Sequence, residues 1–201
     1  ISHSAAVYPS LKAELACRNR VLIITGEVQQ GKTGFLMKLM ELLTARGIRM
    51  KGIIAPGVHD EGGRIGYNLR DIQSGREQVY IRNLHHEGWF RHGKYYFSPE
   101  GLAFGHEIFS RIGEENTDLV VVDEVGPVEL RGRGWSDDLE MLTSRTKLPM
   151  LWVVRKGILK RAIRQWNIGE VLVIDAGSDS LPAILDEILE FLNAPGEGFC
   201  H

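Results

Sequence analysis

Val21-Leu22-Ile23-Ile24-Thr25-Gly26-Glu27-Val28-Gln29-Gln30-Gly31-Lys32-Thr33-Gly34 decides how the rest of this chain is read. Its first five residues are a short apolar run, rich in β-branched side chains and ending at a glycine, which predicts a buried parallel strand. From Lys32 to Arg46 the apolar residues Phe35, Leu36, Leu39, Leu42 and Leu43 recur at helical spacing, and Gly47 supplies a stop. Gly26 to Thr33 fits GxxxxGK[ST] and stands between that strand and that helix, the context in which the pattern holds phosphate. Glycines let the backbone wrap closely around an anion and expose amide N–H groups, and the helix N-terminus adds a favourable dipole. Gly26, Glu27, Val28, Gln29, Gln30, Gly31, Lys32, Thr33 and Gly34 are therefore the expected nucleotide-binding residues. Within them Lys32 neutralises β- and γ-phosphate oxygens and Thr33 places its hydroxyl on Mg2+.

Downstream, the apolar run Leu119 to Val122 delivers two acids, Asp123 and Glu124, at its C-terminal end. Alone, such an end predicts no more than a carboxylate capping the next element. With a phosphate loop upstream, Asp123 is expected to hold the magnesium ion or its water, and Glu124 to polarise water for in-line attack on the γ-phosphate. Phosphoryl transfer also calls for positive charge on the transferring group. Arg155, after the predicted strand Met150 to Val154, and Arg64 and Arg70, in a Gly-rich segment, are candidates, although most surface arginines are simply solvated. His85, His86 and His92 stand near Trp89 and Phe90 at spacings that match no zinc pattern, and they read as a partly exposed loop.

The remaining pattern predicts an α/β fold of three layers, a parallel sheet covered on both faces by helices. A second apolar run, Met50 to Val58, is punctuated by Pro56 and Gly57, and strands are expected at Tyr95 to Ser98, Met150 to Val154 and Val171 to Ile174. Helices are expected from Pro99 to about Ile112, Ser136 to Arg145, Gly157 to Trp166 and Leu181 to Leu192. Between them, Arg64 to Leu69 and Gln78 to Arg82 read as an inserted β-hairpin. Residues 1–20 are expected to be an N-terminal extension, 21–192 one domain with 59–98 as its insert, and 193–201 a tail. With 201 residues, 43% apolar side chains and a formal charge of −2, the composition is that of an ordinary globular protein, without the broad basic field that would support nucleic-acid binding. Cys17 and Cys200 form no CxxC pair, which fits a reducing cytoplasm. No apolar run approaches a membrane span, and the first 20 residues lack the apolar core of a signal peptide.

Three segments in order, the phosphate loop, Asp60-Glu61-Gly62-Gly63-Arg64-Ile65-Gly66-Tyr67 and Val122-Asp123-Glu124-Val125-Gly126-Pro127-Val128-Glu129-Leu130, resemble the cancer-related nucleoside-triphosphatase family of small P-loop proteins. The resemblance implies a RecA-like fold with an additional strand, and Mg2+-dependent hydrolysis of several nucleoside triphosphates, ATP or GTP among them, to diphosphate and phosphate. It assigns phosphate and metal binding to Gly31, Lys32 and Thr33, magnesium support to Asp123 and water activation to Glu124, with Glu129 and Arg64 as further candidates. The loop interior departs from the family form, which carries another glycine and often a proline where this chain has Glu27-Val28-Gln29-Gln30. Slow turnover with retained binding is therefore an open outcome. Two other readings stay open: a P-loop kinase of a nucleotide or small metabolite, with Arg64, Arg70, Arg76 and Arg82 as its lid, and a nucleotide-regulated module read by a protein partner.

Overall fold

The structure of the chain, a computed structural model, describes residues 6–7, 19–27, 31–113 and 115–194. Val28, Gln29 and Gln30 of the phosphate loop lie outside the described residues, as do most of the expected N-terminal extension and tail, with Cys17 and Cys200. The first half of the chain forms β1 (Ala6–Val7), β2 (Arg20–Thr25), α1 (Lys32–Thr44), β3 (Met50–Ile54), β4 (Gly57–Asp60), β5 (Gly63–Asp71), β6 (Glu77–Arg82), β7 (Phe90–His92), β8 (Tyr95–Phe97) and α2 (Pro99–Ser110). The second half adds β9 (Leu119–Val125), α3 (Ser136–Arg145), β10 (Met150–Val154), α4 (Leu159–Gln165), β11 (Glu170–Asp175) and α5 (Leu181–Asn193).

Five strands, in the order β11-β2-β10-β9-β3, make a parallel core. Their side chains alternate between the two faces, so each strand serves two cores. Val21, Ile23, Val120, Val122 and Trp152 pack with Phe104, Phe109, Leu139, Leu142 and Ala162 of α2, α3 and α4. Leu22, Ile24, Leu119, Val121 and Leu151 pack instead with Leu36, Leu39 and Leu43 of α1 and Leu185 and Ile188 of α5. The result is the predicted three-layer α/β fold. One strand, β10, lies between the strand that feeds the phosphate loop and the strand that carries the two acids, which is the additional-strand arrangement the resemblance implies.

Beyond β3 the sheet turns antiparallel. β5 pairs with β3, placing Ile53 opposite Asp71, and β6, β8 and β7 follow outward while β4 lies on β5. The predicted hairpin is β5 with β6, and it extends the main sheet by pairing with its edge. Strands β4 and β7 carry no alternating signal of their own: β4 is largely exposed and β7 is three residues long. None of the described helices is long and apolar enough to cross a membrane.

Gly52 is needed where β3 meets β9. It has φ +127, and a Cβ built there lies 2.0 Å from the carbonyl oxygen of Val121, in the strand that carries Asp123. Gly52→Ala should cost about 3 kcal/mol or more, because the two central strands must separate and the backbone angle disfavours any side chain. Denaturant unfolding with an unchanged slope and a lowered midpoint would show it; an unshifted midpoint would refute it.

Candidate active site

Because the core strands run parallel, β2, β10, β9 and β11 all end at one edge, and the loops leaving that edge bring the predicted residues together. The backbone N–H of Lys156, just past β10, reaches the Gly26 carbonyl at 3.4 Å. Gly31 is the N-cap of α1, with φ 72 and ψ 24, so the helix opens without a capping side chain. Lys32 folds back over the loop, its Nζ donating to the carbonyls of Glu27 at 2.7 Å and Gly26 at 3.2 Å. Burial lowers the pKa of that ammonium, against the pull of nearby Glu124 and Asp123.

The acids stand at a β-bulge. Trp152 of β10 pairs with Val122, but Val154 pairs with Val125, so Asp123 and Glu124 together oppose a single residue. A bulge re-aims the side chains it contains. Asp123 follows the parity of Leu119 and Val121 onto the α1 face and is 1% exposed. Its Oδ2 accepts the Ala55 backbone N–H at 3.0 Å, whereas Oδ1 is buried without a hydrogen-bond partner among the described residues. Burial first, then the Glu124 charge, pushes its pKa up to about 7, while the Ala55 N–H and the adjacent Thr33 hydroxyl pull the other way. Glu124 takes a left-handed backbone, φ 71, which costs a non-glycine residue about 1 kcal/mol or more and is typical of functional sites. Its Oε1 accepts from Arg155 Nε at 2.9 Å and Nη2 at 2.5 Å.

Thus Lys32, Thr33, Asp123, Glu124 and Arg155 converge. Arg64 donates from Nη1 to the Tyr67 hydroxyl at 3.1 Å, and Tyr67 shares a cleft wall with Glu124 and Arg155. Arg70 is engaged by Glu77 at 2.5 Å. Glu129, in a one-turn 3-10 helix at Glu129–Arg131, turns its carboxylate into its own loop, where Oε2 accepts the Gly126 N–H at 2.7 Å. Burial pushes its pKa up to about 8. Gly134, at φ +57, leaves it room: a Cβ there would sit 2.3 Å from Glu129 Oε1. The residue types alone do not mark Ala55, whose contribution is a backbone amide, or Tyr67, which bonds Arg64 within β5 and is brought against Tyr95 by the fold.

The sequence profile of the NTPase family matches residues 21–188, which includes all the converging residues. This chain belongs to that NTPase family. Among its relatives are proteins named nucleoside-triphosphatase THEP1. The one from Archaeoglobus fulgidus is 34% identical over 173 residues, 84% of this chain and 96% of its own. The one from Methanopyrus kandleri is 30% identical over 137 residues, 67% of this chain and 73% of its own. Solved structures agree in fold. THEP1 from Aquifex aeolicus superposes with TM-score 0.67 at 17% identity, covering 86% of this chain and 99% of that one. A human cancer-related nucleoside triphosphatase superposes with TM-score 0.65 at 20% identity, covering 88% and 98%.

Proposed function

We propose that this chain hydrolyses nucleoside triphosphates, ATP or GTP, to the diphosphate and phosphate with Mg2+ as cofactor, in a cytoplasmic setting. The observation that carries this is the bulged end of β9, which places Asp123 on the α1 face beside Thr33 and Glu124 against Arg155, with Lys32 charged toward both acids.

The donor set fits magnesium. Asp123 Oδ1 is a buried oxygen without a described hydrogen-bond partner, and the neighbouring Thr33 hydroxyl makes a second hard donor of the kind Mg2+ prefers. Held by Thr33 and Asp123, the ion would supply positive charge against the negative charge of the triphosphate. The chain supplies the rest. Lys32 leaves its own loop carbonyls for phosphate oxygens, exchanging neutral acceptors for anionic ones that bind it more strongly. Glu124 orients the attacking water and takes its proton as the water oxygen bonds to the γ-phosphorus. The bond to the β–γ bridging oxygen breaks and the diphosphate leaves. Arg155 fixes Glu124 and stands ready to share its charge with the γ-phosphate as that pair loosens.

Phosphate release from ATP, GTP, CTP and UTP, with Mg2+ and with excess chelator, tests the reading. Release should need the metal, and Lys32→Ala should lower it roughly 100- to 1,000-fold, the scale for removing one group that stabilises transition-state charge. Equal rates in the parent and Lys32→Ala would reject hydrolysis at this site.

A further inference from the structure

A cleft of about 280 Å3 opens beside Glu124. Gly26, Lys32, Thr33 and Asp123 do not line it, and it meets the phosphate site through Glu124, its partner Arg155 and Ala55, whose N–H holds Asp123. Its depth is apolar, with Phe97 and Val128 buried in the wall. Tyr67 and Tyr95 meet edge to face at 6.0 Å, and Phe97 is stacked on Phe90 at 4.7 Å, so the aromatic faces are held in place before any ligand arrives. A slot with fixed aromatic walls suits a flat ring.

Charge around the cleft is positive where it is free to act. Exposed Lys94 stands at the mouth, with Nζ 5.1 Å from the Tyr95 ring centroid. Arg133 lies over Phe90 at 5.8 Å. Arg131, Arg155 and Arg133 are all near enough to His92, in the same wall, to add to the lowering of its pKa by burial. The two carboxylates of the wall are already engaged, Glu124 by Arg155 and Glu129 by the Gly126 N–H.

We infer that this cleft is a second ligand site, for a small planar ring carrying a carboxylate or phosphate, and that its occupancy restrains hydrolysis by covering Glu124. The ring lies between the aromatic walls, the acid group meets Lys94 at the mouth, and the inner edge shields Glu124 from bulk water. The restraint, though not the binding, rests on Glu124 acting upon the attacking water.

The test titrates anthranilate, a planar fluorescent carboxylate, into the full chain with and without ATP and Mg2+. Saturable binding is expected, weakened roughly fivefold in Lys94→Glu, which reverses the charge at the mouth, and in aniline, the same ring without its acid. Tyr95→Ala should weaken it as well. Saturating anthranilate should lower the rate of phosphate release without raising the KM for ATP. Lys32→Ala should bind anthranilate as the parent does, so failure of hydrolysis alone counts against the assignment of Glu124 and leaves the cleft standing. Absence of saturable binding, equal binding by Lys94→Glu and Tyr95→Ala, an unaffected release rate, or competition with ATP would each overturn the inference.

Discussion

Glu124→Gln should slow phosphate release roughly 100- to 10,000-fold, the range for losing a positioned general base, while triphosphate binding stays within a few-fold of the parent. The substitution keeps the side chain's length and the oxygen that faces Arg155, and so preserves much of the geometry at 2.5 to 2.9 Å. It removes the proton acceptor. The loss should therefore fall on kcat, with KM nearly unmoved, the signature of an interaction made in the transition state. A fall in binding equal to the fall in rate would instead mean that Glu124 organises the loop, a role its left-handed backbone at φ 71 also permits. Measuring nucleotide affinity beside single-turnover hydrolysis separates the two.

Asp123→Asn should abolish most turnover, roughly 100- to 1,000-fold, with little change in the stability of the metal-free protein. The opposing terms nearly cancel. Asparagine removes a buried carboxylate whose ionisation the interior resists, holding its pKa at about 7, and its oxygen can still accept the Ala55 N–H. Its amide nitrogen then takes the place of the unpartnered Oδ1, a cost of about 1–3 kcal/mol that offsets the gain. Ligand linkage exposes the functional loss: Mg2+ and ATP together should raise the parent's melting temperature and raise that of the variant much less. An equal rise in both would remove Asp123 from the metal site.

Much of this protein is decided locally. The apolar run Val21 to Thr25 followed by Gly-x4-Gly-Lys-Thr specifies a strand, a tight loop and a helix within one stretch, and Leu119 to Val122 carries its two acids to the edge where that loop lies. Alternation of β-branched residues and helical spacing are short-range signals, so α1, α3 and β10 fall where the residues predict them. The candidate site residues were legible for the same reason: Lys32, Thr33, Asp123 and Glu124 each stand at the end of a predicted element.

What remained depends on strands meeting across the chain. The bulge that separates the aims of Asp123 and Glu124 exists only in the register of β9 against β10, and the pairing of Arg155 with Glu124 spans 31 residues. The Ala55 amide that holds Asp123 carries no side-chain signal at all. Tyr67 and Tyr95 form one aromatic wall because β5, β6 and β8 extend the sheet past β3, a consequence of edge pairing that short, partly exposed strands do not announce. The sequence by itself determined that the Gly-x4-Gly-Lys-Thr loop, Asp123 and Glu124 belong to one edge of an α/β sheet. Only the tertiary structure decided which way those acids point and what cleft lies beyond them, because long-range register sets direction and side-chain pattern does not.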